Sequence, residues 1–424
     1  MTDFFDTLEI RSADEREAAL MAALPGQLQA ALQVPAMAAL LGSVDPASVA
    51  SRQALAQLPV TRKGELLERQ KLGRAAEGTS WDPLGGFSAI GWRAMGALRP
   101  ARRVYQSPGP IYEPEPSTPD YWRCARALYA AGLRGGDLVH NSFSYHLTPG
   151  AWIMESGAQA LGCAVFPGGV GNTELQLQAM TELRPDAYTG TPSFLRILLE
   201  KADELNLSLP SLRKALVSGE AFPPSLRDWL ASRGVAAFQA YATADVGVIA
   251  YETAAREGLV LNENLILEIV RPGTGDPVPD GDVGEVVITA LNADYPLVRF
   301  ATGDLSAILP GACPTGRSNQ RIKGWMGRAD QTAKVRGMFV HPGQVADVLK
   351  RHPEALKVRL VVEGEMAQDR MTLRVECAES SPQLLQAIAQ TVRDLTKLRA
   401  DIEWVSPGSL PNDGKVIEDA RSYR

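Results

Sequence analysis

The chain has 424 residues, 45% apolar and 22% charged, with 43 basic against 49 acidic side chains and a net charge of −6; that length predicts two or three domains, and the weak acidic balance argues against nucleic acid or an anionic membrane as partner. Four cysteines (Cys124, Cys163, Cys313, Cys377) without CxxC spacing, and four histidines in all, speak against a disulfide framework, structural zinc or a multi-histidine metal site. With an acidic N-terminus lacking a signal core, and no apolar run long enough to span a membrane, the expectation is a cytoplasmic protein.

Residues 1–75 read as helical, with breaks expected at Pro25 and Pro35 and with Thr61 placed to cap a helix starting at Arg62. Residues 76–118 read as loop, because Gly85, Gly86, Pro108, Gly109, Pro110, Pro114 and Pro116 interrupt regular structure. From Thr118 onward, helices and short apolar strands alternate. Helices are expected at 119–133, 150–161, from 172, at 192–205 and at 223–232; strands at 137–144, 164–166, 187–189, 215–218 and 236–240. That alternation predicts a parallel sheet covered by helices on both faces. Beyond Val260 the style changes to antiparallel strands at 285–291 and 297–309. A last module has strands at 357–363, 371–376 and 402–405 and helices at 342–351 and 381–398. The expected fold is α/β. A large N-terminal domain, 1–326, has parallel-sheet layers and an antiparallel sub-barrel, and a small α+β lobe, 331–424, follows.

Several segments carry chemistry, each beside a plainer reading. Asp304 closes LVRFATGD (297–304), where a carboxylate can accept both hydroxyls of a ribose diol or merely cap the turn after Gly303. Arg328, in GRADQTAKVRG (327–337), has a planar fork suited to ribose or phosphate oxygens, or makes a surface turn. Lys415 follows a glycine near the end of the chain; it can swing onto charge developing in a reaction, or be a solvated lysine. Ser218-Gly219-Glu220-Ala221 and YATAD (241–245) each follow a strand, where an open α/β sheet receives its ligand, or are ordinary strand exits.

In this order, over residues 55–424, the segments resemble the adenylate-forming superfamily of acyl–CoA ligases, and in particular the phenylacetate–CoA ligase family. The resemblance implies ATP, Mg²⁺ and coenzyme A, a small carboxylic acid of aryl or arylacetic type, and no nucleic-acid or membrane partner; it leaves a homodimer open. It implies that Lys415 drives adenylation, that Gly219, Glu220 and Tyr241 meet adenine, and that Asp304 and Arg328 hold ribose. It further implies that the small lobe is mobile about a hinge at Asp330 and that Asp245 holds Mg²⁺. NSFSYHLTPG (141–150), PGGVGNTE (167–174) and GTPSF (190–194) resemble segments lining the acyl pocket and nucleotide cleft, which brings in Tyr145, His146, Gly190 and Thr191.

The departures are specific. The family pattern Tyr-Gly-x-Ser/Thr-Glu becomes Tyr241-Ala242-Thr243-Ala244-Asp245, which loses a hydroxyl and shortens the carboxylate by one methylene, still a hard oxygen donor for Mg²⁺. His146 replaces a glycine and would gate the acyl pocket or bond the carboxylate, or else be buried on a backbone partner. Thr315 replaces the second cysteine of a CPCGR pattern, which sets aside a metal site at Cys313. The largest departure is the phosphate loop. The family's SSGTTGKP works through backbone N–H groups, hydroxyls and a lysine. Residues 105–116 read YQSPGPIYEPEP: prolines remove donors, Glu113 and Glu115 would repel phosphate, and only Arg102 and Arg103 stand nearby. Two readings stay open. One is an acid–CoA ligase with a repurposed loop. The other is a non-catalytic or redirected relative that binds a nucleotide or acyl–CoA without ATP turnover.

Overall fold

The computed structural model describes the whole chain except residues 1–3, 93–98, 327, 330–332, 337, 341, 365–368, 379–380, 412–414 and 422–424. Asp330 therefore lies outside the described residues. The chain divides into two compact units, Met1–Gly327 and Arg328–Arg424.

The first unit is organised on a nine-stranded sheet. Five strands run parallel as neighbours, in the order Ala164–Pro167, Leu138–Asn141, Ala187–Gly190, Lys214–Val217, Ala236–Thr243. Helices Gly150–Ala160, Thr173–Leu183, Pro192–Glu204 and Pro224–Ser232 make the crossovers. The parallel strands are short, and central ones such as Ala187–Gly190 are buried along their whole length, which is why they read as apolar runs without alternation. Beyond Ala236–Thr243 the sheet turns antiparallel through Gly247–Glu252, Leu259–Leu261, Arg321–Ile322 and Ile308–Leu309. A second sheet has the order Thr61–Arg62, Phe300–Ser306, Gly284–Ala290, Leu265–Val270, and its last three strands are antiparallel. It shares a core with the N-terminal helices, built from Leu24, Leu28, Met37, Ile266, Ile288 and Phe300 among others.

Arg299 fixes the N-terminal segment to this second sheet. It is 2% exposed, ion-paired to Glu268 at 2.9 Å, and donates to the carbonyls of Ala56 (2.9 Å), Leu58 and Gly275 (2.7 Å). A buried guanidinium is tolerable only when its donors are met in this way.

Four expectations are corrected. Pro25 lies inside one continuous helix, Ala13–Leu32, whose buried face of Leu20, Met21, Leu24, Leu28 and Ala31 outweighs the lost N–H. Thr61 is not a cap: it pairs beside Phe300 and donates to the Val298 carbonyl at 2.9 Å, while Arg62 precedes the helix Lys63–Ala75. The helix expected over 119–133 is only Ala125–Ala130, because Asp120 and Arg123 take positive φ and Asp120 accepts from the Cys124 N–H at 2.7 Å. The segment expected as loop contains a hairpin, Arg103–Ser107 against Ile111–Glu115, with Ser107 opposite Ile111 and Tyr105 opposite Glu113. Pro108, Gly109 and Pro110 form its turn rather than breaking it, and Pro114 is accommodated in a strand with a single neighbour.

The second unit carries a four-stranded sheet ordered Asp401–Val405, Arg370–Cys377, Ala355–Glu363, Ile417–Asp419, and a hairpin of Ala333–Val335 with Met338–Val340. Helices Pro342–Arg351 and Pro382–Thr396 cover it, and Val345, Val348, Leu360, Leu373, Ile388 and Val392 form its core.

Candidate active site

The carboxyl ends of the parallel strands, where the sheet changes to antiparallel, collect the expected residues of the first unit. Tyr241 stands where the pairing of Ala236–Thr243 with Gly247–Glu252 slips by a bulge, which re-aims side chains at a strand's end. Its hydroxyl donates to Asp304 Oδ2 at 2.9 Å and lies 3.0 Å from Thr302 Oγ1. Asp304, in the strand Phe300–Ser306, is 8% exposed; its Oδ1 accepts from the Trp325 indole N–H at 3.0 Å. Tyrosine, carboxylate and indole thus bring three distant segments together. Gly219 follows Lys214–Val217 with φ +81°, and Ser218 donates to the Ala240 carbonyl at 2.7 Å, tying this turn to the residue before Tyr241. Ser193 holds the Glu220 carboxylate by a short hydrogen bond. Thr191 caps the helix Pro192–Glu204. Gly190 is demanded by close approach: a Cβ there would lie 2.1 Å from the Tyr188 hydroxyl.

The hairpin brings a different chemistry. Ser107 donates to the Glu113 carboxylate, which is completely buried. Burial pushes Glu113 up to about 8, with the negative charge of Asp245 adding to the effect and Lys63 opposing it. The Asp245 side chain is 1% exposed and pairs through Oδ2 with Lys63 Nζ at 3.0 Å. Among the described residues, Glu113 Oε2, Asp245 Oδ1 and the Tyr295 hydroxyl are all buried without a hydrogen-bond partner. Glu115 is differently placed: it accepts from Arg103 at 3.0 Å and from the Tyr105 hydroxyl at 2.6 Å, so its charge is met inside the hairpin. Hard, unmet carboxylate oxygens at Asp245 and Glu113 fit Mg²⁺, which uses one or two carboxylates plus waters and phosphates. Among the described residues no group of three or more His, Cys, Asp or Glu forms a metal cage.

In the acyl-pocket segment, Tyr145 donates to Glu155 at 2.8 Å, accepts from Asn141 at 2.9 Å and meets the Trp152 ring edge-on. Its hydroxyl is pushed up by burial and by Glu155. His146 is exposed, so it is not the buried histidine of the plainer reading; its backbone N–H bonds Ser144 Oγ at 3.2 Å. The buried histidine of this region is His140, whose Nε2 donates to Gln176 Oε1 at 2.8 Å and whose ring stacks on Phe166. Burial lowers its pKa. In the second unit, Arg328 is half-buried, and Lys415 is exposed just ahead of the strand Ile417–Asp419.

Sequence reasoning missed Lys63, Tyr295, Trp325 and Ser193. Trp325 had a signal, since it stands two residues before the Gly-Arg of GRAD. Glu113 had one too: SPGPIYEP (107–114) aligns without a gap on SSGTTGKP and puts Glu113 at the lysine. Lys63 and Tyr295 had none, because only the fold brings them to Asp245.

Comparison with known proteins shows the family. The family model for AMP-binding enzymes matches residues 125–292, and that for the AMP-binding enzyme C-terminal domain matches 337–420. Phenylacetate–coenzyme A ligase of Thermus thermophilus is 31% identical over 316 residues, covering 68% of this chain and 71% of the relative. The enzyme of that name from Aromatoleum evansii is 30% identical over 349 residues, 78% of this chain and 74% of the relative. Among solved structures, 2-hydroxyisobutyryl-CoA ligase in complex with 2-HIB-AMP and CoA superposes with a TM-score of 0.80 at 24% identity, over 98% of this chain and 92% of that one, a likeness of fold. Sequence order, sheet topology and these relatives agree: the chain belongs to the phenylacetate–coenzyme A ligase family of adenylate-forming enzymes.

Proposed function

We propose that the protein is an ATP-dependent acid–CoA ligase. A carboxylate attacks the α-phosphate of ATP, giving acyl-adenylate and pyrophosphate; the CoA thiol then attacks the acyl carbon and AMP leaves. AMP is a far better leaving group than hydroxide, which is why the acid is activated first. The observation that carries this reading is the Tyr241–Asp304–Trp325 constellation at the ligand edge of the sheet: two neutral donors orient a nearly buried carboxylate where a ribose diol would be received. Gly219 and Glu220 border adenine beside Tyr241, and Arg328 joins Asp304 at the ribose. Gly190, Thr191, Tyr145 and His146 border the acid. Lys415 meets the carboxylate oxygens and the α-phosphate, stabilising charge as it develops. Asp245 would hold Mg²⁺, which would supply positive charge for the triphosphate. The lobe swings about Asp330 between the two half-reactions.

An aryl or arylacetic acid is the substrate class suggested by the phenylacetate–CoA ligases among its relatives. Four free thiols suit a reducing cytoplasm. A homodimer belongs to the same reading, and light scattering giving the mass of a single chain removes it. The central test is carboxylate-dependent ATP–pyrophosphate exchange. Lys415→Ala is expected to abolish exchange while sparing thioester formation from supplied acyl-adenylate; unchanged exchange takes Lys415 out of the mechanism.

Glu113 at the loop's lysine position favours a second reading, a relative that holds a nucleotide without turnover. Calorimetry separates the two. AMP binding as tightly as Mg²⁺–ATP, with no acid supporting exchange, selects the second; tighter Mg²⁺–ATP, or any acid-dependent exchange, selects the ligase.

A further inference from the structure

The phosphate end of the site holds a feature that the proposed activity does not by itself require. Glu113 comes from the hairpin, Asp245 from the turn after Ala236–Thr243, Lys63 from the start of the helix Lys63–Ala75, and Tyr295 from the segment before Phe300–Ser306. Both carboxyl groups are buried, and among the described residues each keeps one oxygen without a hydrogen bond: Glu113 Oε2 and Asp245 Oδ1. The Tyr295 hydroxyl, 1% exposed, is a third buried polar atom without a partner among those residues, and it lies in the field of both carboxyl groups. Buried polar groups in native proteins are almost always satisfied, so three unmet atoms within one another's electrostatic reach point to something that meets them. All three offer oxygen lone pairs, which a cation would meet.

Asp245 Oδ2 already meets an ammonium, Lys63 Nζ, at 3.0 Å, so a cation entering here would compete with Lys63 for Asp245.

We propose that Glu113 and Asp245 together bind a hard divalent cation of the Mg²⁺ or Mn²⁺ class, and that Lys63 guards the position by pairing with Asp245 until the cation arrives. The inference rests on the ligase reading only in taking Asp245 as a cation ligand; it adds Glu113 as a second protein ligand and Lys63 as a competitor. Oxygen-only donors select Mg²⁺ or Mn²⁺ over softer metals. A second protein carboxylate pre-forms the site, so the cation binds before any nucleotide is present.

The test uses the full chain, free of nucleotide, with Mn²⁺ alone as probe and the signal of free Mn²⁺ in electron paramagnetic resonance as readout. Wild-type protein is expected to bind a single Mn²⁺ per chain. Glu113→Gln and Asp245→Asn preserve shape and are expected to weaken binding by about tenfold or more, with circular dichroism confirming the fold. Lys63→Met removes the competitor and is expected to tighten binding. Free Mn²⁺ left unbound by wild-type protein at millimolar concentration overturns the proposal, as does Glu113→Gln binding like wild type. Should the Glu113 variant fail to fold, Lys63→Met decides: unchanged or weaker Mn²⁺ binding overturns the guarded site. Intact Mn²⁺ binding with no acid-dependent exchange would count against the ligase reading and leave the cation site standing.

Discussion

At the proposed ribose site, both oxygens of Asp304 are held by uncharged donors of the protein, Tyr241 and Trp325. At the proposed cation site, Glu113 and Asp245 each keep a buried oxygen without a hydrogen-bond partner among the described residues, while Lys63 pairs with Asp245 Oδ2. The first arrangement is complete before a ligand comes, and orients an acceptor for it. The second is incomplete, and has use for a positive ion. On the proposed assignment a nucleotide would meet two different surfaces along its length: adenosine a finished template, and the phosphates a site that takes them only with a cation. AMP binding should thus be indifferent to Mg²⁺, and ATP binding should depend on it.

The comparison can be broken most severely from beneath. Arg299 supports the strand of Asp304 through Glu268 and three carbonyls. Arg299→Met is expected to cost about 3–5 kcal/mol, because it leaves Glu268 as an uncompensated buried charge. Urea denaturation measures this, and a loss below about 1 kcal/mol would mean the network is dispensable.

Asp304→Ala attacks the ribose end itself. The loss of charge-assisted hydrogen bonds, about 1.5–3 kcal/mol, predicts AMP binding weaker by roughly 10- to 100-fold, read by calorimetry. Glu113→Gln serves as the contrast and should leave AMP affinity as it is. Equal losses of AMP affinity in the two variants would erase the distinction between the ends.

Tyr241→Phe is a finer cut. It keeps the ring and removes one donor from Asp304, so AMP affinity should fall only severalfold, the equivalent of about 1 kcal/mol. A fall as large as that of Asp304→Ala would show that the hydroxyl, rather than the carboxylate, is the main contact.

The smallest effect concerns pH and controls for the sheet beneath both ends. Burial depresses the His140 pKa below its usual 6.5. Below pH 6.5 the unfolded chain binds more protons at this site than the folded one. The contribution is therefore complete above 6.5 and lost as pH falls through the folded value. His140→Gln should flatten that part of the stability profile and leave the rest unchanged. An identical slope in the variant would move the titration to another group.

The parallel strands were legible because they are short apolar runs, buried along their length at the centre as in Ala187–Gly190, between helices with clear starts such as Thr191 and Pro192. The hairpin was not, because Pro108, Gly109 and Pro110 were read as breakers when they supply the turn of a two-stranded ribbon. Pro25 misled for a related reason: local propensity predicts a break, and tertiary burial of one helix face overrides it. At the proposed site, motif order singled out Tyr241, Asp245 and Asp304, and the fold brings Tyr241 onto Asp304. The sign of Glu113 was legible as well, as repulsion of phosphate. Its burial beside Asp245 was not, since that depends on residues 132 positions apart in the sequence meeting in space. Lys63 lies 182 residues from its partner and carries no motif.

Trp325 has a practical consequence. Its indole N–H rests on a charged acceptor, a geometry that shifts the emission of the excited ring. On the proposed assignment of ribose to Asp304, its hydroxyls would perturb that bond and make Trp325, one tryptophan among seven, an optical reporter of nucleotide arrival. Trp325→Phe should silence the AMP-dependent change while the other indoles continue to emit, giving a label-free titration for the wild type and for variants that keep Asp304.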